Sequence, residues 1–340
     1  MNTNTPSVSV VMPVFNGANS LATAIDSILA QTFSDFELIL VDDGSTDFTL
    51  EIIKGYVAQD ERVRGFTMPH SGVAAAANAG LSKVRARLIA RMDADDYSMP
   101  ERLAQQVAYM HGHPEIGILG TRVEFGGNRE TAAGYARYVD WTNTLLEPEE
   151  LRLRRFQEAP FAHPSTMYRT ELVERFGGYK TGNLPEDYEL WLRWMSLGIK
   201  AAKLPSTLVV WNDPPDRLSR TGEQCTTDNF YKMKSPYLAD WLHNNVSPDR
   251  SIYVIGASKT SRNRALLLEQ SGVVITGWID VDPNKIGNIV NGKRVAGREI
   301  LDQEHCFAVA YLAGHDANDQ LEEFLKTKGY TLGRDYILAS

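Results

Sequence analysis

The sequence predicts an α/β protein with a mostly parallel sheet flanked by helices, followed by a smaller Rossmann-like α/β domain. Apolar strands and helical segments alternate four times in the N-terminal part of the chain, and this alternation produces a parallel sheet with right-handed crossovers. The alternation starts again at Ser251, and a chain of 340 residues is long enough for two domains. We therefore expect a first domain over 1–222, a helical segment and linker over 223–249, and a second domain over 250–340.

The composition is that of an ordinary globular protein, and it argues against nucleic-acid-binding, disulfide-rich and membrane-spanning proteins. The hydrophobic fraction is 43% and the charged fraction is 23%. A net charge of -8 argues against a nucleic-acid partner. Cys225 and Cys306 lie far apart, so we expect a reducing compartment and neither a disulfide framework nor a cysteine metal site. Residues 1–6 lack a signal-peptide core and no apolar run has the length of a membrane span, so a cytoplasmic location is expected.

The elements of the first domain follow from apolar runs and their spacing. Strands are predicted at 7–14, 36–41, 63–68, 88–92, 116–125 and 205–210. Helices are predicted at 21–31, 49–56, 73–81, 151–156 and 171–176, with further helices that begin at Pro100 and Glu186. Residues 126–146 show no clear period, so we expect a loop over the functional site.

The remaining chain alternates again after an aromatic stretch. Residues 228–245 form an amphipathic helix that could pack on the first domain, bind a partner or touch a membrane surface. Strands are then predicted at 252–258, 273–279, 307–312 and 336–338, with helices at 262–270 and 318–328. Asp280 follows Gly256 at about the distance in sequence at which dinucleotide-binding domains place the acidic residue that binds the ribose. However, the loop that begins at Gly256 lacks the second and third glycines of the dinucleotide fingerprint. A scaffolding or self-associating role is favoured over a small-ligand site.

Polar side chains follow the strands of the first domain. Ligands of parallel sheets bind outside the carboxyl ends of the strands, and the polar groups found there are Asn16, Asp42, Asp43, Asn78 and the cluster Asp93–Asp96. We therefore expect the functional site at this edge. The spacing of Asp93 and Asp95 puts both side chains on one side of an extended backbone, and such oxygen ligands suit Mg²⁺ or Mn²⁺. A solvated acidic turn before the next helix is the alternative.

Four segments resemble the successive blocks of family 2 glycosyltransferases. They are Val10–Asn16, Val41–Asp47, Ala76–Gly80 and Met92–Tyr97, in the same order and spacing, and the resemblance covers about residues 7–220. These enzymes are inverting, use nucleotide sugars and have a GT-A fold. The resemblance implies a nucleotide-sugar donor, most often of UDP, a Mn²⁺ or Mg²⁺ cofactor, and a glycan or lipid-linked glycan acceptor.

The resemblance also implies roles for the donor-side residues. Asp95 is the expected metal ligand, and Asp93 is expected to contact the ribose or the donor sugar. Asp43, beside Asp42, would accept a hydrogen bond from a pyrimidine base. The other expected donor contacts are Pro13 and Phe15 against the base, Asn16 in the same block, and Asn78 at the Gly-rich turn or the ribose.

The later blocks carry the expected base and acceptor side. The catalytic base maps onto Asp187 in preference to Glu186, although both charges would also favour the helix N-terminus that follows. His163 and Trp191 are expected on the acceptor side, with a structural histidine as the alternative. Arg217 and Arg220, in the same loop as Ser219, could cover the diphosphate where many relatives have a histidine, or be surface charges.

Two other functions are considered. A sugar nucleotidyltransferase would need a basic Gly-rich loop after the first strand, but no Lys or Arg precedes Lys54. A non-catalytic nucleotide-sugar-binding subunit would lack the base or the metal ligand, and both residues are present. Peripheral association with the inner face of the cell membrane and self-association through the C-terminal domain are left open.

Overall fold

The computed structural model describes residues 5–214, 217, 220, 222, 225–312, 314 and 316–340. The helices are α1 (Leu21–Leu29), α2 (Thr49–Gln59), α3 (Val73–Leu81), α4 (Arg102–Gly112), α5 (Ala133–Thr144), α6 (Pro148–Arg154), α7 (Thr170–Phe176), α8 (Glu186–Ser196), α9 (Thr227–Asn245), α10 (Lys259–Gln270) and α11 (Ala317–Thr327). The strands are β1 (Val8–Val14), β2 (Phe36–Asp42), β3 (Val63–Thr67), β4 (Leu88–Arg91), β5 (Tyr97–Ser98), β6 (Ile116–Phe125), β7 (Met167–Arg169), β8 (Lys200–Trp211), β9 (Ser251–Ile255), β10 (Ile275–Ile279), β11 (Ile289–Val290), β12 (Lys293–Ala296), β13 (Cys306–Ala310) and β14 (Tyr336–Leu338).

The larger sheet is mixed and mostly parallel, which confirms the predicted fold class. Its strand order is β3-β2-β1-β4-β7-β6-β8-β5. Strands β3, β2, β1 and β4 are parallel neighbours. Strand β7 is antiparallel to both β4 and β6, and β5 is antiparallel to β8. The parallel register pairs Val14 with Asp42, so the ends of β1 and β2 lie side by side.

Helices cover both faces of this sheet because β1 is apolar on both faces. Val8, Val10 and Met12 face one core, to which α1 and α4 contribute. Val11 faces the other core, which includes Trp191 and Trp194 of α8. This alternation follows from the two-residue period of a strand. Burial of whole strands such as β1 and β2 is typical of parallel sheets with two covered faces.

Two regions differ from the sequence prediction. Residues 133–144, expected within a loop, form helix α5. Its Ala136 and Val139 pack with Trp211 in a small separate core, so tertiary contacts stabilise a helix whose own sequence shows no clear period. The short strands β5, β11 and β12 were not predicted, since two to four residues carry too little pattern.

The chain divides into two units. One contains residues 1–152 and 160–225, and the other contains 153–159 and 226–340. The second unit has a smaller sheet in the order β11-β12-β10-β9-β13-β14, parallel except for the β11–β12 pair. Within the described residues, no helix combines the length and the apolar character that crossing a membrane requires.

Candidate active site

The loops after β1 and β2 are joined at the predicted edge of the sheet. The Asn16 Oδ1 accepts a hydrogen bond from the Thr46 N–H at 2.8 Å, and the Asn16 N–H donates to the Ser45 Oγ at 2.8 Å. Asn16 has a φ of 50°, a left-handed conformation that asparagine tolerates better than most residues. Asn16 therefore fixes the shape of the edge, and its expected donor contact stays a prediction.

Two adjacent aspartates at the end of β2 have different surroundings. Asp42 accepts hydrogen bonds from the Ser45 N–H at 3.1 Å and from the Thr67 hydroxyl at 3.0 Å. The Asp43 carboxylate accepts from the N–H groups of Ser71 at 2.8 Å and Gly72 at 2.9 Å, at the start of α3. Both side chains are buried. Because a carboxylate has about four acceptor positions, Asp43 can accept a further hydrogen bond.

An exposed aromatic pair lies beside Asp43. The rings of Phe15 and His70 are stacked with centroids 4.1 Å apart, and the His70 Nδ1 lies 2.9 Å from the Asp43 Oδ2. Phe15 is 46% exposed, whereas Pro13 is buried within β1 opposite Val41. Phe15 and His70 thus offer a flat surface for a planar ring, and His70 was not found from the sequence.

Three carboxylates converge after β4. Asp93, Asp95 and Asp96 each offer an oxygen, and these oxygens lie within 4.8 Å of one another. The Asp96 Oδ1 accepts from the Asn212 N–H at 2.7 Å, while its buried Oδ2 has no hydrogen-bond partner among the described residues. An orphaned carboxylate oxygen beside two further carboxylates fits a divalent cation with oxygen ligands. Asp96 belongs to the quoted motif but was not assigned a role from it.

Two buried arginines lie beneath this cluster. The Arg91 Nη2 forms an ion pair with the Asp93 Oδ1 at 2.6 Å, and the Arg102 Nη2 donates to the Arg91 carbonyl at 2.8 Å. Burial opposes ionisation of Asp93, but the charge of Arg91, with Arg217 as a further cause, lowers the pKa of Asp93 below its ordinary value. Burial and the Asp93 charge raise the pKa of Asp95 to about 6. The arginines thus hold one carboxylate ionised without a metal.

The expected base lies at the N-terminus of α8. Burial, with the charge of Asp93 as a further cause, raises the pKa of Asp187 to about 6, although its Oδ1 accepts from the Tyr188 N–H at 2.7 Å. Burial and the neighbouring Asp187 raise the pKa of Glu186 to about 8. A carboxylate with a pKa near neutrality is suited to accept a proton.

His163 and Trp191 pack together inside the molecule. Their rings meet edge to face with centroids 5.9 Å apart, and Trp191 has no exposed surface. The structure therefore places Trp191 in the core rather than on an open acceptor surface. The His163 Nε2 lies 2.8 Å from the Tyr179 hydroxyl. Burial, together with the charge of Arg91, lowers the pKa of His163 to about 3, so the imidazole is neutral.

Asn78 holds the turn that carries Tyr179. The Asn78 amide donates to the Tyr179 carbonyl at 2.7 Å and accepts from the Tyr179 N–H at 2.9 Å. A Cβ on the preceding residue, Gly178, would lie only 2.4 Å from the Asn78 Oδ1, so this turn requires glycine. Asn78 therefore orders this turn, and its expected contact with the donor stays a prediction.

The basic residues of the late loop lie over aromatic rings. The guanidinium of Arg217 lies 3.5 Å from the centroid of Trp211, and its charge acts on Asp93. Arg220 pairs with Asp213 at 2.6 Å and lies 4.8 Å from the Tyr135 centroid. Ser219 of the same loop is outside the described residues. Arg217 is therefore near the acidic cluster, whereas the role of Arg220 stays a prediction.

Comparisons with known proteins bear on this site. The sequence model of Glycosyl transferase family 2 matches residues 9–177. The chain is 33% identical over 254 residues to EpsE of Bacillus subtilis (strain 168), covering 70% of this chain and 86% of EpsE. The chain is a family 2 glycosyltransferase.

Further relatives agree with this assignment. The glycosyltransferase is 33% identical over 189 residues to the O-antigen biosynthesis glycosyltransferase WbnJ of Escherichia coli, covering 55% of this chain and 70% of WbnJ. Its fold resembles that of S. aureus TarS in complex with UDP-GlcNAc, with a TM-score of 0.55, 16% identity and coverage of 78% of this chain and 71% of TarS. A likeness at this identity supports the GT-A fold alone.

Proposed function

We propose that this glycosyltransferase moves a sugar from a nucleotide-diphosphate donor to a hydroxyl of a glycan or lipid-linked glycan, with inversion and with a divalent cation. The main observation behind the proposal is that two sets of carboxylates, the acidic cluster after β4 and Asp187 of α8, lie close together. Asp93, in the cluster with Asp95 and Asp96, is close enough to Asp187 for their charges to interact. Asp187 comes from a distant part of the sequence. The acidic cluster is suited to bind a cation, and Asp187 is suited to act as a general base.

The acidic cluster would hold Mn²⁺ or Mg²⁺. Asp95 and Asp96 offer the oxygens, and Arg91 already neutralises part of the charge of Asp93. A bound cation would supply Lewis-acid stabilisation of the diphosphate leaving group. Mannosyltransferase PcManGT of Pyrobaculum calidifontis, whose structure contains GDP-Man and Mn²⁺, shares the fold at a TM-score of 0.50 and 18% identity, with coverage of 79% of this chain and 70% of PcManGT.

Asp187 is the proposed general base. Single displacement at the anomeric carbon needs removal of the proton from the attacking hydroxyl. Asp187 can take this proton because burial gives it a pKa of about 6, whereas Glu186, with a pKa of about 8, stays protonated at neutral pH. Asp187 is partly exposed, so the hydroxyl of an acceptor can reach its carboxylate.

The nucleotide is proposed to be a uridine diphosphate. A uracil ring carries an N–H donor that a further acceptor position of Asp43 could bind, and Phe15 and His70 offer the flat apolar surface beside it. TarS is a fold relative whose structure contains UDP-GlcNAc, whereas PcManGT contains GDP-Man. The fold alone leaves the base undecided, and thymine and guanine also carry a ring N–H that Asp43 could bind. The choice of uracil therefore rests on the resemblance to family 2 glycosyltransferases, in which donors of UDP are most frequent.

The acceptor is proposed to be a growing surface polysaccharide or its lipid-linked precursor. WbnJ is named for O-antigen biosynthesis, and AmsE of Erwinia amylovora, 31% identical over 205 residues, is named for amylovoran biosynthesis. A lipid-linked acceptor would place the enzyme at the inner face of the cell membrane.

The C-terminal unit is proposed to be a Rossmann-like scaffold that could also self-associate. The Asp280 Oδ2 accepts from the Ala257 N–H at 2.9 Å and from the Lys285 Nζ at 3.0 Å. Gly256, with a φ of 104°, lies against the Tyr311 carbonyl, which a Cβ would approach to 2.6 Å. Asp280 therefore stabilises its own loop, which supports a structural role over a ribose contact.

Calorimetric titration with UDP, GDP and dTDP, each with and without Mn²⁺, tests the donor site. We expect UDP to bind most tightly, with an affinity that Mn²⁺ increases. Asp95→Asn should abolish this increase because it removes a charged ligand, whereas Glu101→Gln, an exposed neighbour, should retain it. Binding of GDP in preference to UDP would contradict the choice of uracil, and unchanged Mn²⁺ dependence in Asp95→Asn would contradict the metal site.

A further inference from the structure

Two buried tyrosines, Tyr168 and Tyr179, form a hydrogen-bonded row with His163. The Tyr179 hydroxyl lies 2.8 Å from the His163 Nε2 and 3.2 Å from the Tyr168 hydroxyl. Tyr168 is 0% exposed, Tyr179 is 4% exposed and His163 is 9% exposed, so water does not compete freely for these groups. The three side chains form a short hydrogen-bonded row that ends at the imidazole.

The direction of the hydrogen bonds in this row follows from its far end. Among the described residues, the Tyr168 hydroxyl has the Tyr179 hydroxyl as its hydrogen-bond partner and no other. If the His163 Nε2 carried a proton, Tyr179 would accept it and donate to Tyr168, and the Tyr168 proton would have no acceptor. In the opposite direction Tyr168 donates to Tyr179, Tyr179 donates to Nε2, and both phenol protons are satisfied. A buried donor without an acceptor is unfavourable, which favours the second arrangement.

A buried positive charge disfavours protonation of the imidazole. The Arg91 guanidinium interacts with the phenol groups of both Tyr168 and Tyr179. Arg91 also disfavours the imidazolium form of His163. His163 is therefore a neutral ring whose proton must lie on one of its two nitrogens.

The position of Tyr179 is fixed by the backbone around it. Asn78 holds both the N–H and the carbonyl of Tyr179. The Arg193 Nη2 donates to the carbonyl of Gly178 at 2.5 Å, and Arg193 is itself paired with the buried Glu189 at 3.1 Å. These hydrogen bonds fix the backbone from which the Tyr179 side chain extends, and burial of the ring restricts its rotation.

We propose that Tyr168 and Tyr179 are positioning residues that fix His163 in the tautomer protonated at Nδ1. Among the described residues the His163 Nδ1 has no hydrogen-bond partner, and His163 interacts with the charge of Asp93 in the acidic cluster. The Nδ1–H is then donated to an oxygen of the bound sugar substrate. This last step rests on the proposed function, whereas the tautomer itself does not.

Nitrogen-detected NMR of the histidine side chains tests the tautomer in the full-length protein. Long-range ¹H–¹⁵N spectra distinguish a ring protonated at Nδ1 from one protonated at Nε2, and His163→Gln identifies the His163 signals among the 7 histidines. We expect wild-type His163 to be protonated at Nδ1. Tyr179→Phe keeps the ring packing and removes the donor, so it should convert His163 to a mixture or to the Nε2-protonated form.

Tyr56→Phe is the matched control. It also removes one phenol hydroxyl, which in this case bonds Asp26, and should leave the His163 signals unchanged. If the wild-type spectrum shows His163 protonated at Nε2, the proposal is wrong. This result needs no variant, so the test remains valid even if the Tyr179→Phe protein does not fold. An unchanged tautomer in a folded Tyr179→Phe protein would also overturn the proposal. A failed UDP titration with the expected tautomer would refute the donor assignment only.

Discussion

At the scale of single residues, the site depends on how the surroundings give neighbouring carboxylates different pKa values. Glu186 and Asp187 are adjacent in sequence, and burial is the largest cause of the raised pKa of both. Asp187 is left with the pKa of about 6 that a base needs near neutrality, and Glu186 with a pKa of about 8. Asp93 keeps a lowered pKa although partial burial opposes its ionisation, because Arg91 pairs with it. Chemically similar groups thus acquire different roles from their surroundings.

Asp187→Asn tests the choice of base. Removing the proton acceptor should lower turnover by roughly 100-fold or more, in keeping with the usual contribution of general base catalysis. Nucleotide binding with Mn²⁺ should stay near wild type, since Asp43 and Asp95 are untouched. Glu186→Gln is the comparison and should lose much less activity, because the group it replaces is already protonated at neutral pH. Equal losses in both variants would contradict the assignment.

The pH profile gives a second test of Asp187. The base acts when deprotonated, and burial has raised its pKa to about 6. Turnover should therefore fall as the pH is lowered through about 6 and level off above it. A rate measured from pH 5 to pH 8 in buffers of constant ionic strength would show this acid limb. Turnover that stays constant down to pH 5 would exclude Asp187 as the base.

At the scale of elements, helix α5 depends on a buried lysine from strand β8. The Lys203 Nζ donates to the Thr142 hydroxyl at 2.8 Å, to the Thr142 carbonyl, and to the Pro160 carbonyl at 2.8 Å. A cationic group at the C-terminal end of a helix satisfies its last carbonyls. Pro160 precedes the segment that carries His163, so this lysine also orders the approach to the site.

Lys203→Met should weaken this part of the fold. The substitution keeps the apolar stem and removes the ammonium donor from the Thr142 and Pro160 carbonyls, each of which keeps one weaker neutral donor. We therefore expect a loss of about 1–3 kcal/mol. The expected result is a lower urea midpoint with loss of helix signal from the first unit. Lys200→Met, at the exposed start of the same strand, should leave the midpoint unchanged. Equal urea midpoints for Lys203→Met and wild type would show that the Lys203 ammonium makes no net contribution to the free energy of unfolding.

At the scale of the whole molecule, a segment of the family 2 sequence belongs to the C-terminal unit. The family match spans residues 9–177, yet residues 153–159 pack with residues 226–340. Both carboxylate oxygens of Glu322 accept from the Arg154 Nη2 at 2.9 Å, and the Lys234 Nζ donates to the Phe156 carbonyl at 2.9 Å. The second unit therefore completes its own core with residues from the first part of the sequence.

Glu322→Gln should loosen this segment. The variant leaves the Arg154 guanidinium partly buried without its carboxylate, and breaking a buried pair costs about 3–5 kcal/mol. We expect faster amide hydrogen exchange in peptides that cover 153–159 and in α11. Glu323→Gln, the exposed neighbour on the same helix, is the control and should exchange as wild type. Unchanged exchange in Glu322→Gln would contradict the structural role of this pair.

The sequence alone determined the long strands, the edge of the sheet that carries the polar groups, and the family. Long apolar runs specify buried parallel strands, and a parallel sheet places all its carboxyl ends together. Asp43, Asp95 and Asp187 could therefore be singled out before any contact was known. Their individual roles in transfer remain proposals.

Only the tertiary structure decided which distant residues meet there. His70, Arg91 and Tyr179 were not found as parts of the site because an isolated histidine, a strand-end arginine and a tyrosine after two glycines carry no distinctive pattern. Helix α5 was missed because packing against Trp211 and Lys203, rather than its own periodicity, stabilises it. Local patterns specify elements, whereas charge pairing and hydrogen bonding between remote segments specify the chemistry of a site.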